Sequence, residues 1–179
     1  MNIKQTLTTM TSFKKMSIAL SAAFLLICSA ATVNAQNANF AGDWTLNEGK
    51  SELGQFGARM APKKLKIEGQ ADAISFERHS TNQNGDAVTT KEKLSFDGKE
   101  TESTVWNNSK KKSSAKWSAD GQTLNVNSTI LLDRNGEVTE IKVTEVWKLI
   151  DNGQALALES TSNSSFGTNT MKLVYDKAK

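Results

Sequence analysis

Short runs of alternating apolar and polar residues, separated by Asp-Gly and Asn-Gly pairs, fill the chain from residue 36 onward. Such pairs favour two-residue β-turns, because both central residues adopt positive φ. The pattern therefore predicts about ten consecutive strands joined by hairpins. The predicted strands are Gly42 to Leu46, Lys63 to Glu68, Ala73 to Ser80, Ala87 to Phe96, Lys99 to Trp106, Ser113 to Ser118, Gln122 to Leu132, Glu137 to Ile150, Ala155 to Thr161 and Thr170 to Asp176. One short helical turn is predicted after the first strand, over Ser51 to Met60.

The turn centres also predict which residues face each other, since a one-residue slip would turn every apolar side chain to the wrong face. Turns at Asp120-Gly121, Asn135-Gly136 and Asn152-Gly153 predict the pairs Trp117 with Leu124, Leu124 with Trp147 and Trp147 with Leu158. Three successive hairpins thereby place their large side chains on one continuous face.

The turn at Asn84-Gly85 needs an odd number of loop residues to keep Phe76 on that face. A three-residue loop, Asn84 to Asp86, places Phe76 opposite Leu94 and Arg78 opposite Glu92. The extra residue would form a bulge.

A ten-stranded meander with one apolar face must cover that face and protect its edges. Closure into an antiparallel up-and-down barrel does both, so we expect an all-β, single-domain barrel of about eight to ten strands over residues 36 to 179. A two-sheet sandwich is the alternative, but its crossovers need longer connections than these turns supply.

The predicted inner face carries three charged residues, Arg78, Glu92 and Glu145. Charges on an apolar face are informative, because an unpaired buried charge is costly. One interpretation is that Arg78 and Glu92 neutralise each other near the barrel mouth. The other is that these groups, with the inward hydroxyls, line a wet cavity and orient the polar end of a ligand. The only histidine, His79, is predicted to face outward.

The first 35 residues have the pattern of an export signal, with Lys14 and Lys15 before an apolar run and small residues at Val33 and Ala35. The run is shorter than the roughly 20 apolar residues that a membrane-spanning helix needs. Cys28, the only cysteine, follows Leu26-Ile27, which disfavours lipid attachment. We therefore expect a protein exported to the periplasm or the extracellular space, with no transmembrane segment in the mature chain.

Removing the three lysines of this leader from the 22 basic residues leaves 19, which equals the number of acidic residues. No net charge then favours nucleic acid as a partner. The run Lys110 to Lys112 is interpreted as a solvated loop. The mature chain has no cysteine and one histidine, so it offers little material for a transition-metal site or for nucleophile-histidine catalysis, and no cofactor is predicted.

The opening Phe40-Ala-Gly42-Asp-Trp44 resembles the Phe-x-Gly-x-Trp signature of the calycins, the lipocalins and fatty-acid-binding proteins. The resemblance implies a ligand-holding barrel in which Phe40, Gly42 and Trp44 form a plug at the closed end. Fatty-acid-binding proteins grip the carboxylate with Arg-x-Tyr on the last strand, whereas this chain has Leu173-Val174-Tyr175. Any polar contact to a ligand must then come from elsewhere, and Arg78 is the candidate.

These observations favour an exported, lipocalin-like binding protein for a small apolar or amphipathic ligand. The candidate ligand-binding residues are Phe76, Arg78, Glu92, Trp117, Glu145, Trp147 and Tyr175. The alternative is a solid barrel that binds a protein partner in the cell envelope and holds no small molecule. An enzyme that uses the inward carboxylates comes third, because the sequence shows no nucleophile or activated water beside them.

Overall fold

The computed structural model describes residues 36–54, 57–59, 61–82, 84–106, 109–134 and 136–178. The predicted export signal, including Cys28, lies outside the described residues and stays a prediction. No helix in the described part of the chain is long and apolar enough to cross a membrane.

The described part of the chain forms ten strands, as the alternating pattern predicts. They are β1 (Gly42–Leu46), β2 (Lys64–Gly69), β3 (Ala73–Thr81), β4 (Ala87–Ser95), β5 (Thr101–Thr104), β6 (Lys110–Trp117), β7 (Thr123–Arg134), β8 (Glu137–Ile150), β9 (Ala155–Ser164) and β10 (Gly167–Lys177). All neighbouring pairs are antiparallel.

The strands form one antiparallel sheet that curves into a nearly closed barrel. Its strand order is β4-β3-β2-β1-β10-β9-β8-β7-β6-β5, so the chain meanders and β1 joins β10. The edge strands β4 and β5 are consecutive in sequence, and among the described residues no ladder of hydrogen bonds joins them. We call this unpaired boundary the β4–β5 seam.

We name the two ends of the barrel by their turns. End A carries the turns that join β2 to β3, β4 to β5, β6 to β7 and β8 to β9, together with residues 36–41. End B carries the other five connections, including the long one between β1 and β2. At end A the segment before β1 is held down because the Ala38 N–H donates to the Gly121 carbonyl at 2.8 Å.

The registers predicted for three hairpins are confirmed. Trp117 pairs with Leu124, Leu124 with Trp147 and Trp147 with Leu158. Asn135 itself lies outside the described residues, but its flanking strands keep the predicted register. The inward face of these strands is the centre of the hydrophobic core, where Leu124 and Trp147 have no exposed surface.

The predicted register between β3 and β4 is wrong by two residues. Phe76 pairs with Glu92 and not with Leu94, and Arg78 pairs with Thr90 and not with Glu92. The loop has five residues, 82–86, because the Asn82 side-chain oxygen accepts hydrogen bonds from two backbone N–H groups, those of residues 84 and 86, at 2.9 Å each. A two-residue shift leaves every side chain on its predicted face.

Two local predictions also need correction. In place of one helical turn over Ser51 to Met60, the described residues show two short 3-10 turns, Glu48–Lys50 and Gly57–Arg59; residues 55, 56 and 60 lie outside the described part. The lysine run predicted as a loop is the start of β6, where Lys110 and Lys112 are exposed and Lys111 is buried. Strand alternation forces this result, because Lys111 shares the inward face with Ser113 and Ala115.

Candidate functional site

Four charged side chains from four strands meet inside the barrel. Arg78 comes from β3, Glu92 from β4, Lys111 from β6 and Glu145 from β8. Each lies at an inward position of its strand, and the curvature of the sheet brings the four together although their sequence numbers span 67 residues. We call this group the ionic layer.

Arg78 links the two carboxylates of the ionic layer. Its Nε donates to Glu92 Oε1 at 3.1 Å, and its Nη2 donates to both oxygens of Glu145, at 3.0 and 2.8 Å. Lys111 Nζ, on β6, donates to the other oxygen of Glu92, on β4, at 2.6 Å. This hydrogen bond crosses the β4–β5 seam. Trp147 Nε1 completes the set by donating to Glu145 Oε2 at 3.1 Å.

The ionic layer is deeply buried but not completely dry. The exposed fractions of the side chains are 2% for Glu92, 7% for Lys111, 7% for Glu145 and 12% for Arg78. Ion pairs at this depth are not weakened by solvent as surface pairs are, and the loss of one partner leaves an uncompensated charge.

The charges hold each other ionised. Burial lowers the pKa of the Arg78 guanidinium, but Glu145 and Glu92 outweigh burial and raise that pKa above its usual value. Burial raises the pKa of Glu145, but the positive charges of Arg78 and Lys111 outweigh it, and the net pKa lies below its usual value. The guanidinium also lies over the rings of Phe76 and Trp147, with its carbon 4.9 and 5.6 Å from the ring centres.

The end-A side of the ionic layer is filled by aromatic rings. Phe40 stacks on Trp117 with ring centres 5.4 Å apart, and it packs edge-to-face with Trp147 with ring centres 6.0 Å apart. Trp44 is 1% exposed, and its Nε1 donates to the Phe40 carbonyl at 2.9 Å. Gly42 lies beside them with φ of 138°, which a residue with a side chain rarely adopts. The Phe-x-Gly-x-Trp segment therefore contributes two buried aromatic side chains to the core at end A, where the plug is predicted.

The end-B side of the interior is different, because the contiguous core stops near the ionic layer. Among the described residues, six further apolar side chains point inward but are not part of that core. Five of them belong to strands, and the sixth belongs to the residue that directly follows β5. They are Val88, Val105, Ile130, Leu132, Ile141 and Val143, and we call them the end-B group. Val88, Ile141 and Val143 are half-buried. Val105, Ile130 and Leu132 are buried, at 9%, 4% and 6% exposed, so solvent reaches only part of the inner wall at end B.

Hydroxyl groups accompany the end-B group. Ser80, Thr90, Ser103 and Ser162 are inward-facing and half-buried, whereas Ser113 and Ser128 are buried and bond to each other at 2.8 Å. Ser109 is 3% exposed, and its Oγ has no hydrogen-bond partner among the described residues. A buried hydroxyl without a partner costs about 1–3 kcal/mol, so this site would gain from a polar occupant.

A cleft of about 380 Å³ opens beside the β4–β5 seam. Its lining includes the inward-facing Phe76, Glu92 and Ser103 as well as outward-facing residues of β2, β3 and β4. The absence of paired backbone between the edge strands therefore brings solvent close to the ionic layer from the side.

The structure brings most of the predicted ligand-binding residues together. Phe76, Arg78, Glu92, Glu145 and Trp147 all contact one another around the ionic layer, directly or through Arg78. The other two predicted residues are Trp117 and Tyr175. The described residues show no hydrogen bond between either of them and the ionic layer, although the charges of Arg78 and Glu145 act on the pKa of Tyr175.

Trp117 belongs to the aromatic filling of end A, where it packs against Phe40 and Phe96, and its Nε1 is buried without a partner among the described residues. Tyr175 is fully buried, and its hydroxyl donates to the Pro62 carbonyl at 3.1 Å. Burial raises the pKa of Tyr175 above its usual range. Both aromatic side chains therefore form part of the packed wall.

Lys111 is the residue of this site that the sequence did not predict. Its inward alternation with Ser113 and Ala115 was visible in the chain, but the run of three lysines indicated a solvated loop. His79, as predicted, faces away from the interior, and its Nδ1 lies 3.1 Å from the Thr89 hydroxyl.

Comparisons with known proteins find similarity in structure alone. No family model and no curated protein matches the chain. The ileal bile acid-binding protein of zebrafish, solved with cholic acid, is 20% identical with a TM-score of 0.48, and the match covers 78% of this chain and 98% of that one. A luciferase domain from the dinoflagellate Lingulodinium polyedrum is 7% identical with a TM-score of 0.47, over 76% of this chain and 42% of that one.

Proposed function

We propose that this protein binds a small amphipathic molecule in the end-B half of its barrel. The observation that carries the proposal is the division of the interior. The packed core ends near the ionic layer, and beyond it the end-B group and several hydroxyls line a wall that solvent reaches in part. An apolar wall with a few convergent polar groups is the usual character of a small-molecule site.

The ionic layer supports this proposal because its charged side chains form the polar boundary between the packed core and the end-B half. Replacing a buried ion pair by apolar residues of similar volume is often neutral or stabilising, so folding alone does not need these charges. Here they place fixed donors and acceptors between the aromatic filling of end A and the open wall of end B. Such groups orient the polar part of a ligand.

We also propose that the protein works outside the cytoplasm. The composition of residues 1–35 supports export, with two adjacent lysines, an apolar run and small residues before the expected cleavage point. N-terminal sequencing of the protein purified from the envelope or medium tests this, and a mature chain that begins at Gln36 is the expected result.

A second candidate function is docking to a protein in the cell envelope. Three large apolar side chains near end B support it, since Trp106, Val138 and Phe166 are 43%, 59% and 62% exposed. Recovery of one specific envelope protein, lost when Trp106 and Val138 are both changed to Ser, would favour this function.

Ligand binding is tested by titrating residues 36–179 with Nile red, an uncharged dye whose emission rises in apolar surroundings. A Val143→Phe variant fills the end-B half from its inner wall, whereas Thr144→Phe adds the same ring on the exposed outer face of the same strand. We expect saturable binding that Val143→Phe abolishes and Thr144→Phe retains. Absence of saturable binding, or equal binding by both variants, contradicts the proposal.

A further inference from the structure

The ionic layer is balanced in charge, with two cations and two carboxylates. Three of the carboxylate oxygens each accept one charged hydrogen bond, and Glu145 Oε2 accepts one from Arg78 and another from Trp147. Arg78 commits donors on both Nε and Nη2 to glutamates, at 2.8 to 3.1 Å. Neither cation of the layer is therefore free of a counter-ion.

A ligand carboxylate placed on this layer would add a negative charge beside side chains that are only 2–12% exposed. The new charge would have to displace a glutamate, which would then be buried without a partner, or remain uncompensated itself. Either outcome is costly, and a group in that position takes up a proton instead. A ligand ammonium meets the same difficulty with the opposite sign.

The remaining polar groups of the end-B half are neutral hydroxyls. Ser109 Oγ is buried and without a partner among the described residues, and Thr90 and Ser103 are half-buried on the same inner wall. A hydroxyl can donate or accept a hydrogen bond, so these groups can bind the alcohol or amide group of a ligand.

Resting on the proposed function, we propose that the ligand is an uncharged amphiphile, with an apolar body and a hydroxyl or amide group, and not a fatty acid or an amine. The cations and carboxylates of the ionic layer already neutralise one another, so a charged head group of either sign finds no free counter-ion there. The charge of the layer, and not the shape of the wall, sets this preference.

The test compares decanol, decanoate and decylamine as competitors for Nile red at pH 7, because the three have the same number of carbon atoms and differ in the charge of the head group. We expect decanol to bind at least about tenfold more tightly than either ion, a difference of about 1.4 kcal/mol. The Glu145→Gln variant keeps the shape of the side chain and gives the layer one net positive charge. Decanoate affinity is then expected to rise by about tenfold or more, which removes the discrimination against it.

Glu159→Gln is the matched control, since it makes the same change of charge on the exposed outer face of β9. It is expected to leave the ratio of decanol to decanoate unchanged. Decanoate or decylamine binding as tightly as decanol to the unmodified protein overturns this inference and leaves the proposed function standing. Nile red binding that none of the three competitors displaces does the same, whereas no binding of Nile red or of any competitor overturns both.

Discussion

Arg78→Met is the perturbation that most directly tests the role of the ionic layer. Methionine matches the length of the apolar stem but removes the cation between Glu92 and Glu145, whose side chains are 2% and 7% exposed. Breaking a buried pair costs about 3–5 kcal/mol. Lys111 remains on Glu92 at 2.6 Å, so most of the loss falls on Glu145 and we expect the lower part of that range.

A loss of about 3 kcal/mol is a large fraction of the 5–15 kcal/mol that stabilises a typical domain. For a chain of this length it corresponds to a fall in Tm of about 10 °C. Urea unfolding of residues 36–179, followed by tryptophan fluorescence, measures the change, and a constant m-value shows that the two-state treatment holds. Lys91→Met removes a cation paired with Glu77 on the exposed outer face and is expected to change stability little.

The pH dependence gives an independent check on the same residue. In the unmodified protein the pKa of Glu145 lies below its usual 4.5, so its contribution is present above that pH and is lost as the pH falls through the folded-state pKa. Without Arg78, burial is expected to raise the pKa of Glu145 above the unfolded value. The variant then gains stability as the pH falls from 7 towards 5, and the difference between the two proteins narrows.

Two outcomes would refute this reasoning. One is a loss below about 1 kcal/mol at pH 7, which would mean that the layer is solvated like a surface pair. The other is a difference that stays constant between pH 7 and pH 5. The double variant Arg78→Met with Glu145→Gln removes the stranded carboxylate, so it is expected to be more stable than Arg78→Met alone at pH 7.

Two further substitutions test the walls of the barrel. Gly54→Ala is expected to lower stability by at least about 1 kcal/mol more than Gly57→Ala, because both glycines have φ near 65° but only at Gly54 would a Cβ meet backbone, at 2.6 Å from the Thr170 carbonyl oxygen. Thermal melts of the two variants check the difference, and equal losses would contradict the clash. Trp44→Phe removes the buried hydrogen bond to the Phe40 carbonyl and is expected to cost about 1–3 kcal/mol in urea unfolding, whereas an unchanged midpoint would show that water replaces the indole.

The fold follows from the sequence where tight turns fix the register. Between β6 and β9 each turn centre determines the pairs on both sides, and the large side chains then fall on one face. The loop before β4 could not be settled in this way, because loops of three and five residues keep the same faces inward. The Asn82 side chain favours the five-residue loop because it accepts two hydrogen bonds from loop N–H groups. The alternation of apolar and polar residues carries no information about these hydrogen bonds.

The site was predicted less completely because its contacts are distant in sequence. Alternation placed Arg78, Glu92 and Glu145 on the inner face, but it could not show that Arg78 contacts Glu145, 67 residues away. Lys111 was missed for a related reason. A lysine run in isolation indicates a solvated surface, and only the approach of β6 to β4 across the seam supplies the buried carboxylate that makes an inward lysine stable.

The position of the open half follows from unequal strand lengths. β7 and β8 have 12 and 14 residues, whereas β1 and β5 have 5 and 4. The long strands extend towards end B beyond the short strands. The inward Ile130 and Leu132 of β7 are still buried there, at 4% and 6% exposed, but the inward side chains of β8 are covered less completely. Ile141 and Val143 are half-buried for this reason, although they continue the same alternation that buries Glu145 and Trp147 completely or nearly so.

A ligand in this half would therefore gain most of its apolar contact from β7 and β8 and would meet its polar contact at the level of the ionic layer. The same geometry explains why filling the interior at Val143 is a sharper test of binding than any change in the aromatic filling of end A.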